Sequence, residues 1–256
     1  MCLLLLAIRS HLVYKLVLAA NRDEYYERPT APADFWEESP WLLAGRDLRA
    51  GGTWLGITTN GRIAAVTNYR DPASVRDNAP SRGELVSKFL LESGSPSEYL
   101  KKLEQEGPDY NGFNLVFGDK DRLYWYSNRG DEGRLLGPGI HGLSNHLLDT
   151  SWPKVTRGKT GMTTLLSGGQ NPDPEQLLGL LFDRHIAEDE RLPHTGVGLQ
   201  WERILSPLFI TSPHYGTRSS TLMLIDQDDR VTFVERTFDL NPDYPKTVEY
   251  RFKIEE

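Results

Sequence analysis

The segment CLLLLAIRSHLVYKLVLAANRDE, residues 2–24, decides the fold because it holds two apolar runs separated by a short polar break. The runs Leu3–Ile8 and Leu12–Ala20 are mostly aliphatic and partly β-branched, which is typical of buried strands. The break at 9–11 predicts a β-hairpin, and the first strand of that hairpin begins at Cys2.

The same segment does not have the properties of a signal peptide. No basic region precedes its first apolar run, and Arg9 and His11 follow that run without a small-residue cleavage site. The run is also too short to cross a bilayer as a helix. We therefore expect a core strand and no transmembrane segment. Because a single cysteine cannot form an intramolecular disulfide, we expect a cytoplasmic protein.

The composition is that of a globular chain of 256 residues, which we interpret as a single domain spanning 1–256. The formal charge of -7 argues against a nucleic-acid partner, since binding phosphates needs clustered Lys and Arg side chains. The six histidines and the one cysteine show no metal-site spacing, so we predict no metal. The string GPGIHG at 137–142 is not followed by helix-forming sequence and does not predict a dinucleotide site.

Blocks of hairpins and pairs of helices follow one another along the rest of the chain. Asn60 and Gly61 tolerate positive φ and predict a type I′ turn between strands at 54–59 and 62–68. This alternation of blocks favours a layered antiparallel α+β fold over a regular parallel βαβ arrangement.

The remaining predicted elements come from capping residues and from apolar periodicity. Helices are predicted at 83–92, from Ser95 and from Asp173, and strands at 113–117, 122–126, 140–145, 220–226 and 230–237. The polar segment 188–220 is rich in Pro and Gly, and it is predicted to be a lid or a long surface loop.

Cys2 has the properties of an N-terminal nucleophile if Met1 is removed, because the exposed residue then carries both a thiol and a free α-amine. The ordinary pKa of an α-amine is about 7.7 to 8, so a modest shift lets it accept the thiol proton near neutral pH. Asp23, in the second strand of the same hairpin, is placed to orient that amine. The alternatives are an ordinary buried cysteine and, for residues 21–24, a polar strand end.

Ordered motifs along the chain resemble those of one family. They are MCLLLLAI, Asn21-Arg22-Asp23-Glu24, Gly45-Arg46-Asp47, GGTWLG at 51–56, VTNYR at 66–70, GLSN at 142–145 and GTRSS at 216–220. In this order they resemble the NRDE family, also called the transport and Golgi organisation protein 2 family, over nearly the whole chain.

That family is similar to N-terminal nucleophile (Ntn) hydrolases, so the resemblance implies a four-layer αββα sandwich of antiparallel sheets. The cysteine amidases of the penicillin V acylase and bile salt hydrolase type are closest in arrangement. Carried over residue by residue, the resemblance makes Cys2 the nucleophile, Asp23 the residue that orients the amine, Asn145 with Asn68 the oxyanion donors, and Arg218 the late arginine of the site.

The sequence departs from those amidases at one position. They carry an arginine shortly before the aspartate, where this chain has Ala19 or Ala20, and here Arg22 is directly adjacent to Asp23. Adjacent side chains on a strand point to opposite faces of the sheet. We therefore interpret Arg22 as a binding residue, together with Trp54 and His146.

Three functions follow as hypotheses. The first is an Ntn-type cysteine hydrolase that acts on an amide or thioester of a small or lipid-like molecule, with no required cofactor. The second is a non-catalytic haem carrier with Cys2, His141 or His146 as iron ligand and with a pocket lined by tryptophans. The resemblance implies links to haem trafficking, to lipid or acyl-coenzyme A homeostasis, and to Golgi or mitochondrial organisation. The third is a protein that only binds partners. The tryptophans proposed to line the pocket of the haem carrier are Trp54, Trp125, Trp152 and Trp201.

Overall fold

The structure is a computed structural model that describes residues 2–168, 171–238 and 243–255, and it contains two antiparallel sheets. Sheet 1 has six strands. Their spatial order is β10 (Gly139–Leu143), β1 (Cys2–Ile8), β2 (Tyr14–Tyr25), β11 (Tyr215–Asp226), β12 (Arg230–Thr237) and β13 (Lys246–Lys253). Sheet 2 has seven strands in chain order, β3 (Thr30–Trp36), β4 (Ser39–Asp47), β5 (Leu55–Thr58), β6 (Ile63–Asn68), β7 (Phe113–Gly118), β8 (Leu123–Ser127) and β9 (Arg134–Leu135).

The helices lie on the outer faces of the two sheets. They are α1 (Gly83–Leu91), α2 (Pro96–Glu106), α3 (Pro153–Leu166), α4 (Pro174–Leu181) and the short α5 (Leu199–Ile204). Helices α1 and α2 pack on sheet 2, whereas α3 and α4 pack on sheet 1.

The side chains of β1 point alternately into two different apolar cores. Leu4 and Leu6 face sheet 2 and belong to the core between the sheets, together with Ile57. Leu3 and Leu5 point the other way, into a core shared with α3 and α4. A third core joins sheet 2 to α1 and α2. These cores separate four layers, so the predicted αββα sandwich of antiparallel sheets is confirmed.

The predicted terminal hairpin is confirmed, and its second strand continues past Ala20 to Tyr25. Residues 21–24 therefore lie within a strand, and Cys2 pairs directly with Arg22. Asn21 is buried, and its Nδ2 donates to the carbonyl oxygens of Leu181 and Leu208, both at 2.8 Å. Asn21 thus ties sheet 1 to the end of α4 and to the segment that follows α5.

The hairpin at Asn60 and Gly61 is confirmed, but the predicted type I′ turn is wrong. Of these two residues only Gly61 has a positive φ, 82°. The Gly61 amide donates to the Thr58 carbonyl oxygen at 2.9 Å, so a type I turn precedes the glycine. The loop is one residue longer than a type I′ connection because the strands close at Thr58 and Arg62.

Several elements were not predicted from the sequence, namely β3, β4, β9, β13, α3 and α5. The segment 188–220 is more ordered than a surface loop, because it contains α5 and the buried side chain of Glu202. Two helix caps follow the sequence directly. Ser95 and Glu98 form a capping box at α2, and Asp173 Oδ1 accepts from the Glu175 amide at 3.0 Å at α4.

In the part of the chain that the structure describes, the helices are all too short or too polar to span a membrane.

Candidate active site

A cavity of about 310 Å³ opens beside Cys2, at the end of the two inner strands β1 and β2. Its wall includes Cys2, Arg22, Asp23, Trp54, Asn68 and Arg82. The volume is at the lower end of the range for small-molecule sites. The sheet pairing therefore brings residues from distant parts of the sequence to one small and largely charged cavity.

Arg22 shares the inter-sheet face of sheet 1 with Cys2, its cross-strand neighbour. Its guanidinium carbon lies 4.2 Å from the ring centroid of Trp54, and the residue is only 6% exposed. Stacking on an aromatic face holds a guanidinium in place without neutralising its charge. The two predicted binding residues Arg22 and Trp54 thus form one unit next to the thiol.

Opposing effects act on the pKa of the Cys2 thiol. Burial raises the pKa of Cys2, and the charge of Asp23 raises it further. The charge of Arg22 and a hydrogen bond from the backbone of Asp23 lower it. The ionisation of the thiol therefore depends on both members of the Arg22-Asp23 pair.

Asp23 points to the opposite face of the sheet from Arg22, as strand alternation requires, and it is 1% exposed. Its Oδ1 accepts from Thr217 Oγ1 at 2.7 Å, and its carbonyl oxygen accepts from Tyr215 Oη at 3.0 Å. Burial raises the pKa of Asp23, and the charge of Lys154 acts in the opposite direction. The carboxylate is fixed in a buried position at the end of the strand pair that holds Cys2.

Asn145 lies beside Cys2, because the register of β1 against β10, continued by two residues, places the two opposite each other. Ser144 Oγ donates to the Cys2 carbonyl oxygen at 3.3 Å. The Asn145 side chain is fully buried, and its Nδ2 donates to the Asn68 carbonyl oxygen at 3.0 Å. An amide nitrogen carries two hydrogens, so this bond leaves one for a further acceptor.

Arg218 occupies a bulge of β11, where the pairing with β2 shifts its register. Its Nη1 donates to the carbonyl oxygens of Tyr25, Tyr26 and Arg28 at 3.0, 3.2 and 3.1 Å. These bonds hold the turn that follows β2. Arg218 is outside the cavity wall as the described residues define it, so a catalytic role for it stays a prediction.

The histidines proposed as ligands are not among the described residues that line the cavity at Cys2. His146 Nδ1 is 2.9 Å from Thr150 Oγ1, and the His146 ring packs against Tyr69. His141 Nδ1 is 2.9 Å from Asp149, which raises the pKa of His141. Nowhere in the described ranges do three or more His, Cys, Asp or Glu side chains form a group that could hold a metal ion.

The tryptophans do not surround a single pocket. Trp54 lines the cavity, Trp125 is part of the core between the sheets, Trp152 lies over Arg70, and Trp201 contacts Tyr215. Haem binding stays a prediction.

Buried charged residues that the sequence did not single out lie behind the site. Lys154 on α3 is 2% exposed, and burial lowers its pKa to about 8. Arg70 and Glu202 form a buried ion pair with a distance of 2.6 Å between Nη1 and Oε2. Arg70 is the last residue of the VTNYR motif, so the sequence could have indicated it as a site residue. No sequence pattern marks Lys154 or Glu202.

The chemistry that this arrangement allows is nucleophilic attack by sulfur on a carbonyl group. The thiol is a nucleophile, the buried carboxylate can orient a base, and the two asparagine side chains carry amide hydrogens that can stabilise an oxyanion. The four layers, with the cysteine at the start of an inner strand, are those of the Ntn-hydrolase-like class of folds.

Within that class, the chain belongs to the family described as Transport and Golgi organisation 2, whose family model matches residues 1–240. The Transport and Golgi organization protein 2 homologs of Bos taurus and Homo sapiens are each 39% identical over 259 residues, covering 94% of this chain and 94% of theirs. The Drosophila melanogaster protein of the same name is 29% identical over 249 residues, covering 88% of this chain and 86% of its own.

Solved structures with a similar chain path have little sequence in common with this chain. The Caenorhabditis elegans N-acylethanolamine-hydrolyzing acid amidase ortholog superposes with a TM-score of 0.47 and 10% identity, covering 87% of this chain and 92% of its own. The C2A mutant of the conjugated bile acid hydrolase from Clostridium perfringens gives a TM-score of 0.48 and 8% identity, covering 99% of this chain and 97% of its own.

Proposed function

We propose that the protein is an N-terminal cysteine hydrolase that cleaves an amide or thioester of a small or lipid-like molecule. The observation that carries the proposal is the position of Cys2 in the wall of a cavity that Asp23 and Asn68 also line, with Asn145 two residues beyond the end of the adjacent strand β10. The mechanism requires removal of Met1, which lies outside the described residues.

In the proposed reaction, the α-amine of Cys2 accepts the thiol proton and Asp23 orients the resulting ammonium group. The thiolate attacks the carbonyl carbon, and amide hydrogens of Asn145 and Asn68 stabilise the oxyanion. The tetrahedral intermediate then collapses, and the leaving amine or thiol takes the proton from the ammonium group. A thioester between the acyl group and Cys2 results.

Hydrolysis of the acyl-enzyme completes the cycle. The free α-amine accepts a proton from water as the water oxygen attacks the thioester carbonyl. Collapse of the second intermediate releases the carboxylic acid and restores the thiol. Each step uses groups of this chain and water, so the proposal needs no cofactor. A cytoplasmic location is part of the same proposal.

The test is the mass of the intact purified protein before and after incubation with a short-chain acyl thioester. Because Cys2 is the only cysteine, a thiol adduct identifies its own position. We expect a mass without methionine, and one acyl group per chain when the reaction is stopped with acid. Cys2→Ala is the matched control, and it should gain no acyl group.

Absence of acylation in the wild-type protein would overturn the proposal, and so would either of two further results. The first is a retained Met1 in fully folded protein, because the α-amine would then belong to the wrong residue. The second is acylation at the same rate in native and urea-unfolded protein, because the folded environment would then contribute nothing.

A further inference from the structure

A buried ion pair lies behind the candidate active site, formed by Arg70 and Glu202. Its side chains are each 4% exposed. Removing two charges from water costs free energy that their attraction rarely exceeds when compared with apolar side chains of similar size. The pair is therefore poorly explained by stability alone, and its contacts indicate what else it does.

Arg70 contacts Asn145 through both its backbone and its side chain. The Arg70 amide donates to the Asn145 carbonyl oxygen at 2.7 Å, and Nη2 donates to Asn145 Oδ1 at 3.4 Å. Ser144 Oγ donates to the same Oδ1 at 3.3 Å. On its other side, Asn145 Nδ2 donates to the Asn68 carbonyl oxygen. A flipped amide would place its NH₂ group against the guanidinium and its oxygen against a carbonyl oxygen, so one orientation is strongly favoured.

Glu202 holds the guanidinium in that position. Its Oε2 accepts from Arg70, while its Oε1 accepts from the Thr195 amide at 2.9 Å and from Thr195 Oγ1 at 2.6 Å. The ring of Trp152 covers the guanidinium at 4.8 Å from its centroid. The carboxylate therefore bridges the buried Arg70 and the half-buried Thr195, and these contacts together with Trp152 define the position of the guanidinium.

We propose that Arg70, held by Glu202, is a positioning residue. It fixes the side-chain amide of Asn145 with Oδ1 toward the guanidinium and with the second Nδ2 hydrogen left to donate. The effect on catalysis rests on the proposed function, since Nδ2 is then the oxyanion donor. The segment 188–220 contributes to the active site through this ion pair.

Arg70→Lys tests the proposal, because a single ammonium keeps the charge but cannot contact Glu202 and Asn145 together as a planar guanidinium does. Two reactions of Cys2 are compared. Acylation by a thioester passes through an oxyanion, and alkylation by iodoacetamide does not. We expect the rate of acylation to fall by about 10- to 100-fold, which is at most about the loss caused by deleting an oxyanion donor. The rate of alkylation should stay unchanged within about twofold.

The controls separate positioning from general damage. Glu202→Gln should show the same selective loss, to a smaller extent, because it keeps the shape of the side chain and removes the charge. Arg203→Lys changes the neighbouring arginine of α5, which pairs with Asp189 at the surface, and it should leave both rates unchanged. Equal loss of acylation and alkylation in Arg70→Lys, or loss of neither, would overturn the inference.

A second readout does not depend on the reaction. Hydrogen exchange at the side-chain amide of Asn145, assigned by NMR with the Asn145→Asp variant, should be about tenfold faster or more in Arg70→Lys than in the wild-type protein. Unchanged exchange would contradict the positioning role. Absence of acylation in the wild-type protein would overturn the proposed function alone, and the exchange rate would still decide the role of Arg70.

Discussion

At the scale of single residues, the thiol of Cys2 is set between a cation and an anion that are adjacent in the sequence. Strand alternation separates them, so Arg22 acts from the inter-sheet face and Asp23 from the face toward α3. Burial raises the pKa of Cys2, and these two charges then shift it in opposite directions. The reactivity of the thiol therefore depends on their balance.

Arg22→Gln and Asp23→Asn should change the alkylation of Cys2 in opposite directions. Losing the Arg22 charge disfavours the thiolate, so the pH midpoint of iodoacetamide alkylation should rise. At a fixed pH below that midpoint, the rate should fall by about fivefold, the factor for about 1 kcal/mol of lost attraction. Losing the Asp23 charge favours the thiolate, so Asp23→Asn should lower the midpoint. Midpoints that move in the same direction would contradict this account.

The motifs of the sequence located part of the site. Cys2, Asp23 and Asn68 were predicted from short motifs, and strand pairing brings them to one cavity. Lys154 and Glu202 could not be predicted in the same way. Their positions depend on how α3 and α5 pack in the folded protein, and a charged residue in a helix is usually exposed.

At the scale of elements, helix α3 shows why a regular element can be missed. Its sequence contains Gly158 and Gly161, which lower helix propensity. A Cβ at Gly158 would lie 2.9 Å from a methyl carbon of Leu5 on β1, so the glycine lets the helix approach the sheet closely. Packing thus stabilises a helix that local preferences do not predict, whereas the hairpin at Gly61 follows from local conformation alone.

Two glycine substitutions should have opposite effects on stability. Gly61→Ala forces a side chain into positive φ and should lower the free energy of unfolding by about 1–2 kcal/mol. Gly179→Ala lies in α4, where a Cβ meets no atom within 4 Å, and it should raise the free energy of unfolding by about 0.5–1 kcal/mol. Urea unfolding of both variants measures the difference. A destabilising Gly179→Ala would show that α4 packs differently.

At the scale of the whole molecule, Glu235 connects the two sheets. It lies on β12 of sheet 1 and is 1% exposed, and its Oε1 accepts from the Ala33 amide on β3 of sheet 2 at 2.7 Å. Its Oε2 accepts from Thr221 Oγ1 at 3.2 Å. Burial raises the pKa of Glu235, so the folded protein holds the proton of this carboxyl more tightly than the unfolded chain does.

This connection should make stability depend on pH with a defined sign. A raised pKa in the folded state contributes stability at pH values below 4.5, the ordinary pKa, and this contribution is lost as the pH rises through the folded-state pKa. Glu235→Gln cannot titrate, so its free energy of unfolding relative to the wild-type protein should increase as the pH rises from 4.5.

Glu235→Ala is the control for the hydrogen bonds. It leaves the buried Ala33 amide without its acceptor and, relative to Glu235→Gln, should cost about 1–3 kcal/mol at every pH. Urea unfolding across the pH range measures all three proteins. Parallel curves for the wild-type protein and Glu235→Gln would contradict the assignment of the pH dependence to this carboxyl.

The order of the strands in sheet 1 has a consequence during synthesis on the ribosome. The hairpin that carries Cys2 leaves the ribosome before its partners β10 and β11, which end at Leu143 and Asp226. Pairing over such separations is slow, and the apolar edges of β1 and β2 stay uncovered in the meantime. We therefore expect the uncovered strands to be prone to aggregation until β11 has been synthesised, and the environment of Cys2 to be complete only after that point.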